Sequence, residues 1–410
     1  MKTTTRPRYF IHAIILILLF VAISVATFMF VSSCGQDNVI KKLDRIAPQL
    51  MEQYKVPGVA MGLVWDGDVA WSAGYGLADK ELGVPVTGDT VFQVASISKA
   101  VTSWGVMKLV ESGRLDLDAP VEQYLTRWHL PPSNFDPSGV TIRRLLSHSA
   151  GLSVGGYPGL PPDVQLPSLE ESLSGDNSGA GEVRITMQPG AQFSYSGGGF
   201  TLLQLIIEEV TGETFSAYMQ REVLDPLGMS ASSFEWRADL RPETAIAYSE
   251  TGAPLPNYLF TEKAAAGLYT TAPDLARFVA AEMPGPHGEP AGRGVLSPDT
   301  LTLMFNPVIQ PWGLGQSISK LPDGSKLILH DGSNTGWKAV ISANPKWGVG
   351  FVILTNSENG GKLMIKVLKG EILPLLILEK ILRILIPVLV LAFMIVGIFF
   401  IRKLVSTQKL

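Results

Sequence analysis

The stretch FQVASISKAVTSWGVMKLVESG, residues 92–113, decides how the rest of the chain is interpreted. Its second half carries apolar residues at helical spacing and ends at Gly113, a typical stop signal, so a helix is predicted to begin near Ser96. Lys99, one turn later, would lie on the same face as Ser96. Its amine could take the proton of the Ser96 hydroxyl and make that oxygen a nucleophile. Backbone N–H groups at the helix start would favour a developing oxyanion.

The Ser-x-x-Lys spacing is by itself a weak signal, because it recurs at Ser317-Ile318-Ser319-Lys320. The sequence that follows separates the two copies. Residues 321–324, Leu-Pro-Asp-Gly, have turn chemistry and place the second copy between two strands. The first copy is therefore predicted to be the functional one.

Ser153 is a rival nucleophile, since Gly151-Leu152-Ser153-Val154-Gly155 matches the G-x-S-x-G elbow. That elbow needs a strand directly before it and a helix directly after it. Here a predicted helix end precedes the motif and a Pro-rich loop follows it. We interpret the match as coincidental.

Tyr195 lies in the second motif, FSYSGGG at residues 193–199, ahead of an apolar run over residues 200–210. A phenol can carry protons if a neighbouring ammonium, such as that of Lys99, favours its anion. The alternative is a buried aromatic residue at the head of a helix. The residues alone favour that alternative.

His330 opens the third motif, His330-Asp331-Gly332-Ser333, which ends a predicted strand at residues 326–330. A strand edge beside a nucleophile can offer a backbone N–H as a second oxyanion donor, and Gly332 would permit close approach of substrate. Among the five histidines His330 has the most informative context. His148 lies in a predicted loop, where a structural role is the simplest interpretation.

The order of predicted elements indicates the fold class. A helix is predicted at 39–53; strands at 59–64, 69–75, 326–330, 337–343 and 348–355; an Asp-Gly hairpin turn at 65–68; and a long loop at 155–181. Strands at both ends with a mostly helical middle predict an α+β fold. One antiparallel sheet would be formed from both chain ends and flanked by helices, with an inserted, mainly helical lobe.

Apolar runs at 9–31 and 384–401 are each about one bilayer in length and predict transmembrane helices at both termini. Positive residues outside each run indicate that both tips face the cytoplasm, although Lys380 and Arg383 oppose this orientation. The predicted domains are an anchor or lipoprotein signal at 1–35, a globular domain at 36–362, and a linker helix with a transmembrane helix at 363–410.

Cys34 is the only cysteine, which excludes an internal disulfide. Val31-Ser32-Ser33-Cys34 resembles the lipobox at which bacterial lipoproteins are cleaved and acylated. The alternative is a chance cysteine at the end of an uncleaved anchor. Both interpretations attach the front of the chain to a membrane.

Charge excludes one class of partner. The chain has 33 Lys and Arg against 37 Asp and Glu, a net charge of -4. That balance provides no basic surface for nucleic acid.

Taken in order, the motifs resemble those of the serine β-lactamase and penicillin-binding protein superfamily. The resemblance covers residues 46–357. Within the superfamily, the sequence is most similar to the branch that contains class C β-lactamases, D-aminopeptidases, DD-carboxypeptidases and related esterases. The segments that carry it are 92–99, 145–152, Tyr195, 266–270, 312–315 and His330-Asp331-Gly332, which is similar to a His-x-Gly variant of the family's Lys-Thr-Gly motif.

The resemblance implies a β-lactamase/transpeptidase-like fold and an acyl-enzyme mechanism without metal or cofactor. Ser96 would attack an ester or amide carbonyl while Lys99 and Tyr195 move protons and His330 completes the site. The oxyanion would lie between the backbone N–H groups of Ser96 and Ser333, beside Gly332.

Gly197 departs from the family pattern, which usually has Asn two residues after the tyrosine. Glycine supplies none of the amide groups of Asn, so peptidase and β-lactamase activities are less expected than esterase activity. The expected function is a membrane-tethered serine hydrolase at the cell membrane, with its catalytic domain on the extracytoplasmic side. The substrate would be a small molecule or peptide, and lipid would be a second partner. The alternative is a non-catalytic receptor or scaffold, and the sequence leaves substrate identity and oligomeric state open.

Overall fold

The computed structural model describes residues 35–378, together with 19, 381, 385, 387–389, 391, 392 and 395. The predicted anchor at 9–31, apart from residue 19, and Cys34 therefore lie outside the described residues, as does most of the apolar run at 384–401. Within the described part, no helix is both long and apolar enough to span a membrane. Contacts group the chain into one compact unit, Ala47–Met364, and a second unit from the sequences on either side of it.

Among the described residues, seven strands form one antiparallel sheet, and four more form two small ladders. The strands are β1 Gly58–Trp65, β2 Asp68–Asp79, β3 Val84–Pro85, β4 Phe92–Gln93, β5 Ala247–Tyr248, β6 Pro254–Leu255, β7 Tyr269–Thr270, β8 Ser317–Lys320, β9 Lys326–Asn334, β10 Trp337–Asn344 and β11 Val349–Thr355. The large sheet has the order β3-β2-β1-β11-β10-β9-β8. The ladders are β4 with β7 and β5 with β6.

The sheet joins the two ends of the chain, as predicted. β1 pairs with β11 in a register that aligns Val59 with Thr355. The hairpin between β1 and β2 turns at Asp66 and Gly67, both at positive φ, which the twist of a two-residue hairpin loop requires. Every residue of β1 is buried, so the centre of the sheet is core on both faces.

Helices cover the sheet and build the inserted lobe. The helices of the described residues include α1 at 35–54, α2 Ile97–Glu111, α3 Ile142–Leu146, α4 Leu169–Ser174, α5 Gly197–Thr211, α6 Phe215–Met219, α7 Lys263–Ala266, α8 Ala272–Ala281, α9 Pro298–Met304 and α10 Gly360–Ile365. Helix α8 packs on β1, β2 and β11, whereas α2 contacts α5, α6 and α7 on one side and β9 and β10 on the other. Helix α2 therefore lies between lobe and sheet, and all residues from Ile97 to Met107 are buried.

Two elements differ from the sequence predictions. The segment 155–181 contains helix α4, started by a capping box in which Ser168 and Glu171 satisfy each other's backbone N–H groups. This helix has six residues, too few for a visible apolar period. β9 continues to Asn334 instead of ending at His330, because its pairing with β10 runs through to Trp337. The third motif, residues 330–333, therefore lies within β9 and does not follow its end.

Candidate active site

Ser96 is the N-cap of α2, yet its side chain makes no capping hydrogen bond. Six other helices are started by a serine or threonine whose hydroxyl accepts from the backbone N–H three residues on: Thr141, Ser168, Ser196, Thr214, Thr271 and Ser297. Ala95, just before Ser96, has φ +49, a left-handed conformation that alanine rarely adopts. The chain therefore turns sharply into α2 and leaves the Ser96 oxygen available for other partners.

The partner of Ser96 is Lys99. Its Nζ lies 3.1 Å from the Ser96 Oγ and 2.6 Å from the Ala265 carbonyl oxygen at the end of α7. The lysine is 1% exposed, and burial lowers its pKa from 10.5 to about 7, while the negative charge of Asp331 opposes the shift. A neutral amine at this position can accept the hydroxyl proton of Ser96.

Tyr195 lies on the other side of Lys99, whose Nζ is 5.2 Å from the centroid of its ring. Burial raises the pKa of this phenol, and a hydrogen bond with Ser96 lowers it only in part. Of the two sequence interpretations, one gave Tyr195 an anion favoured by Lys99, and the other, which the residues alone favoured, made it a buried aromatic residue at the head of a helix. The structure favours the protonated phenol, because desolvation dominates and Lys99 itself has an amine of lowered pKa.

His148 supports Tyr195 from behind. Its ring centroid lies 4.2 Å from that of Tyr195, and its Nδ1 accepts a hydrogen bond of 3.1 Å from the backbone N–H of Ser196. Burial lowers the pKa of His148 well below its usual value, so the ring is neutral. The simple structural role expected of this loop histidine thus includes positioning the second motif.

His330 is 1% exposed and lines the same pocket. Its Nδ1–H donates to the Asp331 carbonyl oxygen over 2.8 Å, which fixes the tautomer. Burial lowers the pKa of His330 to about 3, with the charge of Lys99 contributing. The Nε2 lone pair is buried and meets no hydrogen-bond donor in the described part of the chain.

At Gly332, strand β9 packs against the segment that leads into Ser96. A Cβ at this position would lie 2.1 Å from the Val94 carbonyl oxygen, so only glycine lets the segment leading into Ser96 pack against β9. The sequence predicted that substrate would approach Gly332 closely. Gly332 is instead buried, and the segment leading into Ser96 packs against it. Gln93 and Asn334 hold the junction through a 3.0 Å side-chain hydrogen bond.

β8 pairs with β9 only as far as Leu329, which lies opposite Ser317. Ser333 lies four residues beyond this point. The β9 edge after Leu329 is thus open toward the pocket, and exposed Ser333 lines it. Alternation along β9 puts Asp331 and Ser333 on the exposed face and His330 and Gly332 on the buried one.

The pocket has a volume of ≈ 400 Å³, within the usual range for small-molecule sites. Its walls are formed by Ser96, Lys99, Gly155, Gly156, Tyr157, Tyr195, Ala265, Ala266, Trp312, His330, Asp331, Ser333 and Asn334. The structure thus brings Ser96, Lys99, Tyr195, His330 and Ser333 together around one cavity. Gly332 is buried next to these residues and does not line the cavity.

Tyr157 fills the space beside Gly197. A Cβ on Gly197 would lie 3.2 Å from the Gly155 carbonyl oxygen and 3.3 Å from Cε2 of Tyr157. The Tyr157 hydroxyl is hydrogen-bonded to Thr201 Oγ1 at 2.8 Å. At position 197, where the family pattern usually has asparagine, the start of the 155–181 segment therefore packs directly against the site from which a side chain would extend.

The 155–181 segment is fixed to the lobe at three further points. Leu160 and Leu259 exchange backbone hydrogen bonds of 2.9 and 2.8 Å. Thr261 Oγ1 donates to the Pro167 carbonyl oxygen at 2.7 Å, and the Ser172 hydroxyl donates to the carboxylate of buried Glu262. Tyr157 is thus presented to the pocket by an anchored segment.

The competing serines make other contacts. Ser317 lies in β8 and donates from Oγ to the Leu329 carbonyl oxygen at 2.9 Å, while Lys320 is exposed. Ser153 donates from Oγ to the Glu182 carbonyl oxygen at 2.7 Å and lies in a loop without the strand and helix of an elbow. Over the described residues, no three His, Cys, Asp or Glu side chains group as a metal site would need.

Sequence reasoning missed Tyr157, Trp312 and Asp331 as pocket residues. Asp331 could have been found by extending the strand alternation through the third motif. Tyr157 carried no local signal, because its place in the pocket depends on long-range anchoring and on the absence of a side chain at Gly197.

Comparison with known proteins agrees with this architecture. The family model described as Beta-lactamase matches residues 43–368. Protein flp of Staphylococcus aureus (strain MRSA252) is 25% identical over an alignment of 327 residues that covers 77% of this chain and 62% of that protein. The chain thus spans less than two thirds of this curated relative.

Two solved structures extend the comparison. The octameric penicillin-binding protein homologue from Pyrococcus abyssi has a TM-score of 0.65 and 29% identity, covering 78% of this chain and 74% of that one. D-alanine carboxypeptidase AmpC from Burkholderia cenocepacia shares the fold, with a TM-score of 0.64 and 23% identity, covering 82% of this chain and 99% of that one. With the family match over most of its length, the chain belongs to the β-lactamase family, within the serine β-lactamase and penicillin-binding protein superfamily.

Proposed function

We propose that this protein is a membrane-tethered serine hydrolase that cleaves an ester or amide through an acyl-enzyme on Ser96. The observation that carries the proposal is the contact between Ser96 and Lys99. The Ser96 hydroxyl does not cap its helix and lies 3.1 Å from the buried Lys99 amine. An alcohol needs such a base to become a nucleophile at neutral pH.

The chemical steps follow from the positions of these groups. Lys99 accepts the hydroxyl proton as Ser96 Oγ bonds to the carbonyl carbon, giving a tetrahedral oxyanion and an ammonium. The oxyanion lies at the N-terminus of α2, where backbone N–H groups stabilise negative charge, and Ser333 on the open edge of β9 is the second candidate donor. The bond to the leaving group then breaks, and the leaving group takes the proton held by the Lys99 ammonium. The neutral amine next deprotonates water, which attacks the acyl carbonyl, and the proton returns to Ser96 Oγ as the bond between that oxygen and the acyl carbon breaks.

Tyr195 acts in this scheme as a neutral phenol. It is hydrogen-bonded to Ser96, so it can pass a proton from the Lys99 ammonium to the leaving group without first ionising. Burial and the charge of Lys99 keep His330 uncharged, with a pKa of about 3, so its ring is a weaker base than the Lys99 amine and leaves the first proton transfer to Lys99.

The substrate is proposed at the level of an ester or amide. Several structural neighbours are by name carboxypeptidases or β-lactamases. In this chain no amide side chain stands at Gly197, and the ring of Tyr157 narrows that side of the pocket. These features favour simple esters over D-amino peptides and β-lactams.

We further propose that the catalytic domain acts on the extracytoplasmic side of the cell membrane. The support is the sequence alone: apolar runs at 9–31 and 384–401, each with positive residues on its outer side, and the lipobox-like Cys34. Retention of the full-length chain in membranes after alkaline carbonate washing, and digestion of its catalytic domain by protease added to intact spheroplasts, would both be expected.

The activity is tested with a panel of p-nitrophenyl esters, D-amino acid amides and a chromogenic cephalosporin, using wild type and Ser96→Ala. Hydrolysis that depends on Ser96 and is fastest for esters is expected. Binding of panel compounds without turnover of any of them would contradict the proposal and favour a receptor or scaffold.

A further inference from the structure

The charged side chains of the pocket differ in how accessible they are to a ligand. Of the residues that form its walls, Lys99 and Asp331 carry a formal charge. Lys99 is 1% exposed, and its Nζ is held by the Ala265 carbonyl and by Ser96 Oγ. Asp331 is exposed, and no described residue offers its carboxylate a hydrogen bond or an ion pair.

Nearby cationic groups do not neutralise Asp331. His148 and His330 are uncharged, because burial lowers the pKa of each. Lys338, across the strand pair, forms an ion pair with Glu358 and donates to Ser333 Oγ at 2.9 Å. Above about pH 7 Lys99 also loses its charge. The pocket then carries one uncompensated negative charge.

The cavity that Asp331 lines also has aromatic walls. Tyr157, Tyr195 and Trp312 line the cavity, and the faces of such rings attract cations, including quaternary ammonium groups. Because Asp331 and these rings line one cavity of ≈ 400 Å³, a ligand that fills the cavity meets both. An anionic substrate would find no available cation in the described pocket and would be repelled by Asp331.

We infer that Asp331 selects substrates that carry a positively charged ammonium group near the scissile ester or amide bond and discriminates against those with a carboxylate there. This inference rests on the proposed hydrolase function. It assigns Asp331 a role in specificity and no role in proton transfer.

Two pairs of isosteric probes isolate the charge. In the first pair the acyl group varies: the p-nitrophenyl esters of 4-(trimethylammonio)butyrate and of 5,5-dimethylhexanoate. In the second the leaving group varies: acetylthiocholine and 3,3-dimethylbutyl thioacetate. The ratio of kcat/KM for the cationic over the neutral member is measured at pH 8 and corrected for the rates of hydroxide hydrolysis.

Wild type, Asp331→Asn and Asp299→Asn are compared. Asp299 is an exposed aspartate of α9 outside the pocket and serves as the matched control. Any change that Asp331→Asn causes in the pKa of Lys99 affects both members of a pair equally, so the ratio reports on substrate charge. Circular dichroism confirms that the variants fold.

The expected result is a ratio above one in wild type that falls about two- to fivefold in Asp331→Asn for at least one pair, and stays constant in Asp299→Asn. A ratio unchanged by Asp331→Asn in both pairs, with turnover retained, would overturn this inference and leave the proposed function standing. If wild type hydrolyses no probe and reacts with no fluorophosphonate, both the inference and the proposed function fail.

Discussion

Gly197 and Tyr157 share one space: a Cβ on Gly197 would lie 3.3 Å from Cε2 of the Tyr157 ring. The glycine and the tyrosine are therefore a matched pair, and the pocket wall that an asparagine usually forms in this family is formed here by the 155–181 segment. Restoring the asparagine should not restore the family's usual site, because the ring would have to move first.

Gly197→Asn is accordingly expected to destabilise the fold by about 1 to 3 kcal/mol through overpacking. Adding Tyr157→Ala should remove the ring's part of the clash, while the 3.2 Å contact with the Gly155 carbonyl oxygen remains, so the double variant should lose less stability than the sum of the two single losses. Urea unfolding measures all three. Gly199→Ala is the control on the same helical turn, since its Cβ would come no closer than 3.4 Å to Leu145. Strict additivity would show that the two positions do not compete.

The pH profile should report the Lys99 amine. The base must be neutral, and its pKa is about 7, so kcat/KM should rise with pH below that value and level off above it. Because the charge of Asp331 raises the pKa of Lys99, Asp331→Asn should move the midpoint to lower pH.

Lys99→Met should reduce kcat about 10² to 10⁴-fold, and Lys320→Met, in the second Ser-x-x-Lys copy, should not. A flat profile between pH 6 and 8 would argue against Lys99 as the base.

Lys99 should also reduce stability. Its folded-state pKa lies below the unfolded value of 10.5, so the unfolded chain binds more protons and stability falls as pH drops from about 10.5 to about 7. Lys99→Met removes this cost, although it leaves the Ala265 carbonyl without its donor. A gain of about 1 to 3 kcal/mol at pH 7 is expected from urea unfolding. A loss of stability would mean that the lysine's hydrogen bonds outweigh its desolvation.

The sequence predicted the sheet, the buried helix after Ser96 and the order of the three motifs, because each depends on local period or turn chemistry. Helix α4 and the extension of β9 to Asn334 were missed, since one is too short to show a period and the other is set by pairing with β10. The tyrosine hypothesis was incomplete for a physical reason. The protonation of Tyr195 depends on burial, which no local pattern reveals.

His330 should make the fold sensitive to acid. Its folded-state pKa of about 3 lies below the usual 6.5, so its contribution is fully present above about pH 6.5 and is lost as pH falls below that value. As pH falls from 6.5 to 5, its contribution to the loss of stability should approach about 1.4 kcal/mol per pH unit. His330→Asn should reduce this slope, and His287→Asn, at an exposed position, should keep it. Equal slopes in both variants would contradict the burial of a neutral His330.

The central claim is that Ser96 is the nucleophile, and covalent labelling tests it most directly. Purified full-length protein is treated with a fluorophosphonate, and the modified residue is located by peptide mass spectrometry in wild type, Ser96→Ala, Ser153→Ala and Ser317→Ala. We predict one adduct, on Ser96, that disappears in Ser96→Ala and forms at the wild-type rate in the two control variants. Labelling of Ser96→Ala at the wild-type rate, or an adduct on Ser153 or Ser317, would contradict the account.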